Sequence, residues 1–339
     1  MIENLLDQTV FKNGHEVSFI LGHKVLSKSG QDWNEVNGDP LTVSEWEDLK
    51  DLCLIGNEKV QLETKGFVGG LYESQKHSWK FTFIERKDSF RAHLSLVKAQ
   101  EETLSQIENP LFWETVKKAK GLFIVAGERR QGKSALLREI IDNDQKNKLS
   151  LVGVHTSQQN QNWPQIDSVI QLGADTIDFD FNHLIYEGIE RIVVDANSVK
   201  NWKKWIEVAE SGQCVIVTLS SNSIKTILSK VTSELDPSSG QRLFNILNGI
   251  ILQKLVGESY YPCSEILIIK ENQKSIMHEA LSKNTIAQLN LAAEFKDSYQ
   301  SLNQAIIQKL IRRKIDVQSA FEASDNPELL DTTLKKMGL

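Results

Sequence analysis

The chain has 339 residues, 40% of them hydrophobic and 25% charged, with a net charge of −6. This length predicts about two domains with ordinary hydrophobic cores. The acidic balance excludes a global basic field that would draw nucleic acid or acidic lipid to the surface.

Residues 1–98 read as a small α+β domain. Within it, His15–Leu21 predicts a strand and Val43–Leu52 a helix. Ser78–Ile84 and Phe90–Leu96 alternate apolar and polar side chains with period two, which predicts two more strands. Gly66, Gly69 and Gly70 are expected to mark turns between them. The polar, charged stretch from Lys98 to Thr103 opens a linker placed at 99–109, and Asn109-Pro110 predicts a turn before a helix. Over 110–275, buried apolar strands alternate with helices, the pattern of a parallel sheet flanked by helices. The expected strands are Leu122–Ala126, Leu149–Val154, Arg191–Val194, Cys214–Leu219 and Ile266–Ile269. Residues 276–339 read as a helical extension, with amphipathic segments at Ser301–Arg312 and Val317–Ala323 and a turn or cap at Asp325-Asn-Pro-Glu328.

The cysteines, Cys53, Cys214 and Cys263, are far apart, odd in number and without metal-ligand spacing. They suit a reducing compartment better than a disulfide framework. The start, Met1-Ile-Glu-Asn-Leu-Leu-Asp-Gln8, lacks a basic and apolar leader, and no run of about 18 apolar residues follows. The expected location is cytoplasmic.

Gly127-Glu-Arg-Arg-Gln-Gly-Lys-Ser134 satisfies G-x-x-x-x-G-K-[ST] between Leu122–Ala126 and the amphipathic Ala135–Ile141. That is strand, loop and helix in the order of a phosphate-binding P-loop. Two glycines let backbone N–H groups turn inward around a phosphate, and the helix N-terminus adds partial positive charge. The expected nucleotide-binding set is Gly127, Arg130, Gln131, Gly132, Lys133, Ser134 and Ala135. Lys133 would reach the β- and γ-phosphates and Ser134 would ligate Mg²⁺. The bland alternative is a glycine-rich turn with a surface lysine. Arg129 and Arg130 fill variable loop positions, where they face solvent or reach a neighbouring subunit.

A nucleotide-hydrolysing site also needs an acid at the end of another strand, to hold Mg²⁺ or orient water. Asp195, closing Arg191-Ile-Val-Val-Asp195, is the catalytic and second metal candidate. Ser238-Ser-Gly-Gln-Arg242 superficially resembles a transporter-ATPase signature, but it follows Asp195 instead of preceding it and reads as a helix-starting turn. Trp202 and Trp205 read as core packing beside a lysine face rather than as a stacking platform. Ser220 and Ser221 have no histidine at hand for nucleophilic catalysis.

Four stretches in order resemble the type II secretion and type IV pilus ATPase family, its pilus-retraction branch in particular. Gly121–Gly127 with Gly132-Lys-Ser is similar to the family's Walker A strand and loop, and Ala209–Ser223 to its histidine-box segment. Arg242, Leu252-Gln253 and Leu255 are similar to the helix after that box, and Leu302–Ala305 through Ala320–Pro327 to its C-terminal helices. The resemblance covers nearly all of 110–330 and, more loosely, the N-terminal domain. It implies an α/β protein: a PAS-like α+β domain, then a RecA-like P-loop NTPase domain with a helical C-terminal extension. It also implies ATP and Mg²⁺ as cofactors and a hexameric ring, homomeric or mixed with a paralogous ATPase. Such a ring would be cytoplasmic or peripheral at the inner membrane, acting on a platform protein of a pilus or secretion system and not on nucleic acid.

The departures from that family bear on hydrolysis. Aligned without gaps back from Gly212, Asp195 stands where the family has its catalytic glutamate and Asn197 where it has an arginine. Ser220 replaces the box histidine. A carboxylate shorter by one methylene is displaced by about an ångström, which can cost about 10²-fold in rate. Leu149–Thr156 carries no carboxylate where the family has its aspartate box, and Gln171-Leu-Gly-Ala-Asp-Thr176 replaces its sensing arginines. Such arginines contribute about 10³ to 10⁵ in rate. The expectation is an ATP-binding, motor-like protein with weak or lost hydrolysis. Two alternatives stay open: a working motor in which Asp195, His155 and Arg129 or Arg130 supply the missing groups, and a non-catalytic adaptor of an active paralogous ring.

Overall fold

The computed structural model describes residues 2–12, 14–29, 32–74, 76–87, 89–97, 109–118, 120–146, 152–156, 169–172, 189–195, 202–257 and 259–338. These fall into two compact units, residues 2–97 and residues 109–338.

In the first unit, α1 (Ile2–Phe11) precedes β1 (Gly14–Ile20), β2 (Lys24–Ser29) and β3 (Asp32–Pro40). Then come α2 (Val43–Cys53), α3 (Asn57–Lys65), β4 (Phe67–Glu73), β5 (Ser78–Arg86) and β6 (Ser89–Val97). The strands form an antiparallel sheet in the order β3-β2-β1-β6-β5-β4. Its inner face is set by alternation: Trp79, Phe81 and Phe83 of β5 and Ala92 and Leu94 of β6 pack against Trp46 and Leu49 of α2. At the start of α2, the Thr42 hydroxyl accepts from the Glu45 N–H while the Glu45 carboxylate accepts from the Thr42 N–H. This capping box satisfies two donors that the helix leaves open.

The helix and three strands expected in this unit are present with bounds shifted by a few residues. Gly66 does end an element, as the left-handed C-cap of α3 at φ 71°. Gly69 and Gly70 do not mark turns: both lie inside β4. A Cβ on Gly70 would come within 3.0 Å of the Phe81 ring, so the glycine is there for close packing.

The second unit runs α4 (Pro110–Lys118), β7 (Gly121–Ala126), α5 (Lys133–Lys146), β8 (Val152–Thr156), β9 (Val169–Leu172) and β10 (Arg191–Asp195). It continues with α6 (Trp202–Glu210), β11 (Cys214–Leu219), α7 (Ile224–Ser233), α8 (Pro237–Ile246), β12 (Leu247–Val256) and β13 (Tyr261–Ile268). Last come α9 (Lys274–Ser282), α10 (Leu291–Glu294), β14 (Tyr299–Gln300), α11 (Leu302–Ile311), α12 (Val317–Ala323) and α13 (Pro327–Met337). The sheet order is β14-β13-β12-β7-β11-β10-β8-β9. From β12 to β9 every pairing is parallel, and β13 and β14 add antiparallel strands beyond β12.

β7 lies inside this sheet and is buried on both faces. Leu122, Ile124 and Ala126 join a core with Trp202, Trp205 and Ile206 of α6 and Leu243 and Phe244 of α8. Phe123 and Val125 join a second core with Phe112 of α4 and Leu136, Leu137 and Ile140 of α5. Burial on both faces is why β7, β10 and β11 read as unbroken apolar runs. The two tryptophans are core residues, as expected, 4% and 6% exposed.

One expected helix is a strand. Leu252, Gln253 and Leu255 sit on β12, paired in parallel with β7 and antiparallel with β13. Two-sided burial removes the alternation that separates a strand from a helix in Gly249-Ile-Ile-Leu-Gln-Lys-Leu-Val256. Ile266–Ile269, expected as a strand of its own, overlaps the end of the longer β13. Asn109-Pro110 does precede a helix, with Asn109 Oδ1 accepting from Phe112 N–H at 3.1 Å. Otherwise the expected linker lies outside the described residues. Cys53, Cys214 and Cys263 are buried and in no disulfide, and burial pushes the Cys53 and Cys263 thiols up to about 12. Among the described residues no helix is long and apolar enough to cross a membrane.

Candidate functional site

The chain leaves the sheet at Gly127 and re-enters regular structure at Lys133, where α5 begins. The turn between them needs positive φ at Gly127 (154°), Arg130 (67°) and Gly132 (78°). Glycine supplies this without strain, whereas Arg130 holds a left-handed conformation that costs on the order of 1 kcal/mol. Arg129 and Arg130 are both exposed. Leu136 N–H donates to Gly132 O at 3.0 Å, closing the first turn of α5.

Three contacts fix the loop. Lys133 Nζ reaches back to donate to Gly127 O at 2.9 Å and Glu128 O at 2.8 Å. Gln131 Oε1 accepts from the Leu255 N–H of β12 at 2.5 Å. Ser221 N–H, just beyond β11, donates to Gly127 O at 3.4 Å. Strands on both sides of β7 therefore touch the loop.

Both glycines are favoured by dihedral angle, and at Gly127 backbone space requires one as well. A Cβ on Gly127 would come within 3.0 Å of Gln253 O, and one on Gly132 within 3.0 Å of Gln253 Nε2. Both ends of the loop rest against one residue of β12. Gln253 is 2% exposed, and its Nε2 has no hydrogen-bond partner. These features fit a polyphosphate: a 14-residue helix with its N-terminus at the loop, a lysine and a serine in its first turn, and no Cβ crowding the cradle.

The hydrolytic candidates lie at the same edge of the sheet. Val194 is level with Val217 of β11, and Val217 with Ile124 of β7. The end of β10 at Asp195 is thus two strands, about 10 Å, from β7. His155 pairs with Val194 from β8, one strand further out. The side chains of Asp195 and His155 lie outside the described residues, as do Asn197 and residues 173–176. Ser220 follows β11, next to β7, and is exposed. Among the described residues no three His, Cys, Asp or Glu side chains converge to hold a metal.

Several residues near the loop carry no motif. Lys254 Nζ donates to Ala323 O at 2.7 Å and lies 3.9 Å from Asp325. Burial holds the Asp325 carboxyl above its usual range, with Lys254 opposing and Glu128 of the loop adding to the rise. On β13, buried Glu265 is also raised by burial, against the hydrogen bond from Tyr299 Oη at 2.7 Å. The signal that could have found Gln253 is a lone amide inside an apolar run. Ser238–Arg242 lie in the opening turns of α8, capped by Asp236, as a helix start.

No family model and no curated protein matches the sequence. Solved structures do match. The chain is similar to the ATPase DotB of Legionella pneumophila at 16% identity and a TM-score of 0.74, covering 94% of each chain. It is similar to the pilus retraction motor PilT, solved with bound ADP, at 17% identity and a TM-score of 0.72, over 97% of this chain and 98% of that one. The chain has the fold of the DotB and PilT ATPases. DotB of Yersinia pseudotuberculosis agrees at 13% identity and a TM-score of 0.74, over 95% and 92% of the two chains. The DotB–PilT fold comprises here an antiparallel N-terminal sheet and a mixed sheet with the loop on an inner strand.

Proposed function

We propose that this protein binds ATP·Mg²⁺ through Gly127–Ala135 and hydrolyses it weakly or not at all, as a motor-like component of a type IV pilus or type II secretion apparatus. The observation that carries the binding half is the loop itself, with left-handed backbone at Arg130 and Gly132 and glycines that lie close against Gln253 at both ends. Lys133 would exchange its two loop carbonyls for β- and γ-phosphate oxygens. Ser134 would take one position on Mg²⁺, with phosphate oxygens and water supplying others. Bound Mg²⁺ would offset phosphate charge. The likeness to PilT, whose structure holds ADP, supports this reading.

The hydrolysis half rests on residue type. Asp195 is one methylene shorter than the glutamate it replaces, Ser220 stands in place of a histidine, and no arginine occurs in 171–176. Under this reading the protein joins a ring of six, homomeric or shared with a paralogous ATPase, at the cytoplasmic face of the inner membrane. Its partner there is a platform protein, not nucleic acid. PAS-like and RecA-like assignments of the two units belong to the same reading.

The test is MgATP affinity and steady-state phosphate release on the purified protein, with its mass in solution. Saturable binding that Lys133→Ala weakens about 30-fold or more is expected, together with negligible release. Robust release that Lys133→Ala abolishes would overturn the hydrolysis half and favour a working motor.

A further inference from the structure

Gln253 is placed where a hydrophobic residue would cost less. Leu252 is level with Ala126, the last residue of β7, so Gln253 stands one step beyond it, where the chain turns into the loop. Side chains alternate along β12. Ile251 faces the core beneath α5 and Leu252 the opposite one. Gln253 therefore shares the face on which α5 begins. A buried amide N–H without an acceptor keeps its full desolvation cost, which methionine of similar length would avoid. The neighbours of this amide are the glycines of the loop: its Nε2 lies against Gly132 and its backbone oxygen against Gly127.

Peptide geometry says what the amide can do. A loop that points successive N–H groups at an anion must turn the carbonyls of the same peptides outward. The Gln131–Gly132 peptide is attached to the α-carbon that Gln253 abuts. The Gln131 side chain is already tied to Leu255 N–H, two residues along the same strand. We infer that Gln253 is a positioning residue of the phosphate loop: its carboxamide donates to the outward-turned Gln131 carbonyl when the Gly132 N–H is directed at phosphate. This rests on the nucleotide reading above. It adds that the strand beside β7 stabilises the binding form of the loop without touching the ligand. The orphaned donor is satisfied only when the loop is arranged for phosphate.

The experiment titrates MgADP into the wild-type protein, Gln253→Met and Gln253→Glu, with Lys133→Ala as a control, and records thermal midpoints with and without MgADP. Expected is a loss of about tenfold in affinity for Gln253→Met, the worth of one hydrogen bond. Its midpoint without nucleotide should equal or exceed the wild-type value. Gln253→Glu keeps the size but sets an acceptor against the carbonyl, so it should weaken binding at least as much. If Gln253→Met is too unstable to titrate, the isosteric Gln253→Glu decides the question. Wild-type affinity in both variants overturns the inference and leaves the nucleotide reading standing. A midpoint without nucleotide that falls in step with affinity also overturns it, since that is loss of packing. No binding by wild type, with Lys133→Ala indistinguishable, overturns both.

Discussion

On one side of β7, β12 meets the loop Gly127–Gly132 through buried and half-buried atoms. Leu255 N–H binds Gln131, and a Cβ on Gly127 would meet the Gln253 backbone oxygen while one on Gly132 would meet the Gln253 side-chain amide. On the other side, β11 runs to Leu219 and is followed by exposed Ser220, while β10 ends in Asp195. A change on the first side moves backbone and disturbs packing. A change at exposed Ser220 removes no buried packing. The comparison teaches that a loop shaped by its neighbouring strand is protected by the stability of the fold, whereas an exposed position such as Ser220 can be exchanged at little structural cost.

Three changes would break or sharpen this contrast. The largest effect is expected from refitting the rim. Asp195→Glu combined with Ser220→His should raise steady-state phosphate release from MgATP by about 10- to 100-fold, the scale of a repositioned base and its partner. A flat rate would mean that these two positions do not limit turnover. Next, Gly132→Ala forces a β-carbon into the left-handed region and against Gln253, and should lower unfolding stability by about 1–3 kcal/mol. Denaturant titration of this variant, of Gln253→Ala and of the double variant would show the two costs to be non-additive, because removing the amide relieves part of the clash. Additive costs would indicate that strain at φ 78° acts alone.

The smallest effect sets a baseline away from both sides of β7. Asp236 caps α8 and Asp316 caps α12, and both carboxyls are held below their usual 3.8. For Asp236 the hydrogen bond from Lys203 leads, followed by those from Ser239; for Asp316 the bonds from Ser319 dominate. A lowered carboxyl favours the folded state above its unfolded pKa, and the benefit fades as pH falls through the folded one. Asp236→Ala should therefore lower Tm slightly at pH 7, and the difference from wild type should shrink below pH 3.8. A gap as large at pH 2 as at pH 7 would point to a role other than the ionised cap.

Much of this was legible in the sequence, for identifiable reasons. β5 and β6 bury one face, so Trp79, Phe81 and Phe83 alternate with polar neighbours. The P-loop spacing is a local constraint and lies within a dozen residues. β12 was not legible as a strand, because burial on both sides erased its period. The role of Gln253 depends on which strand lies beside β7, and its partners are more than a hundred residues away. Gly69 and Gly70 misled for a similar reason: what excludes a side chain at Gly70 is Phe81 on the next strand, not a turn.

Lys133 carries one more consequence. Its ammonium is already solvated by two carbonyls of its own loop, so an entering anion must outcompete an internal substitute. The gain on binding is a difference between charged and neutral acceptors, not the whole attraction of the lysine. Under that reading a single phosphate, reaching few of the loop's donors, would gain little from the exchange, whereas a chain of two or three phosphates would displace the lysine and fill the N–H cradle together. Under the proposed function, the loop would measure anion length against a reference built into the protein.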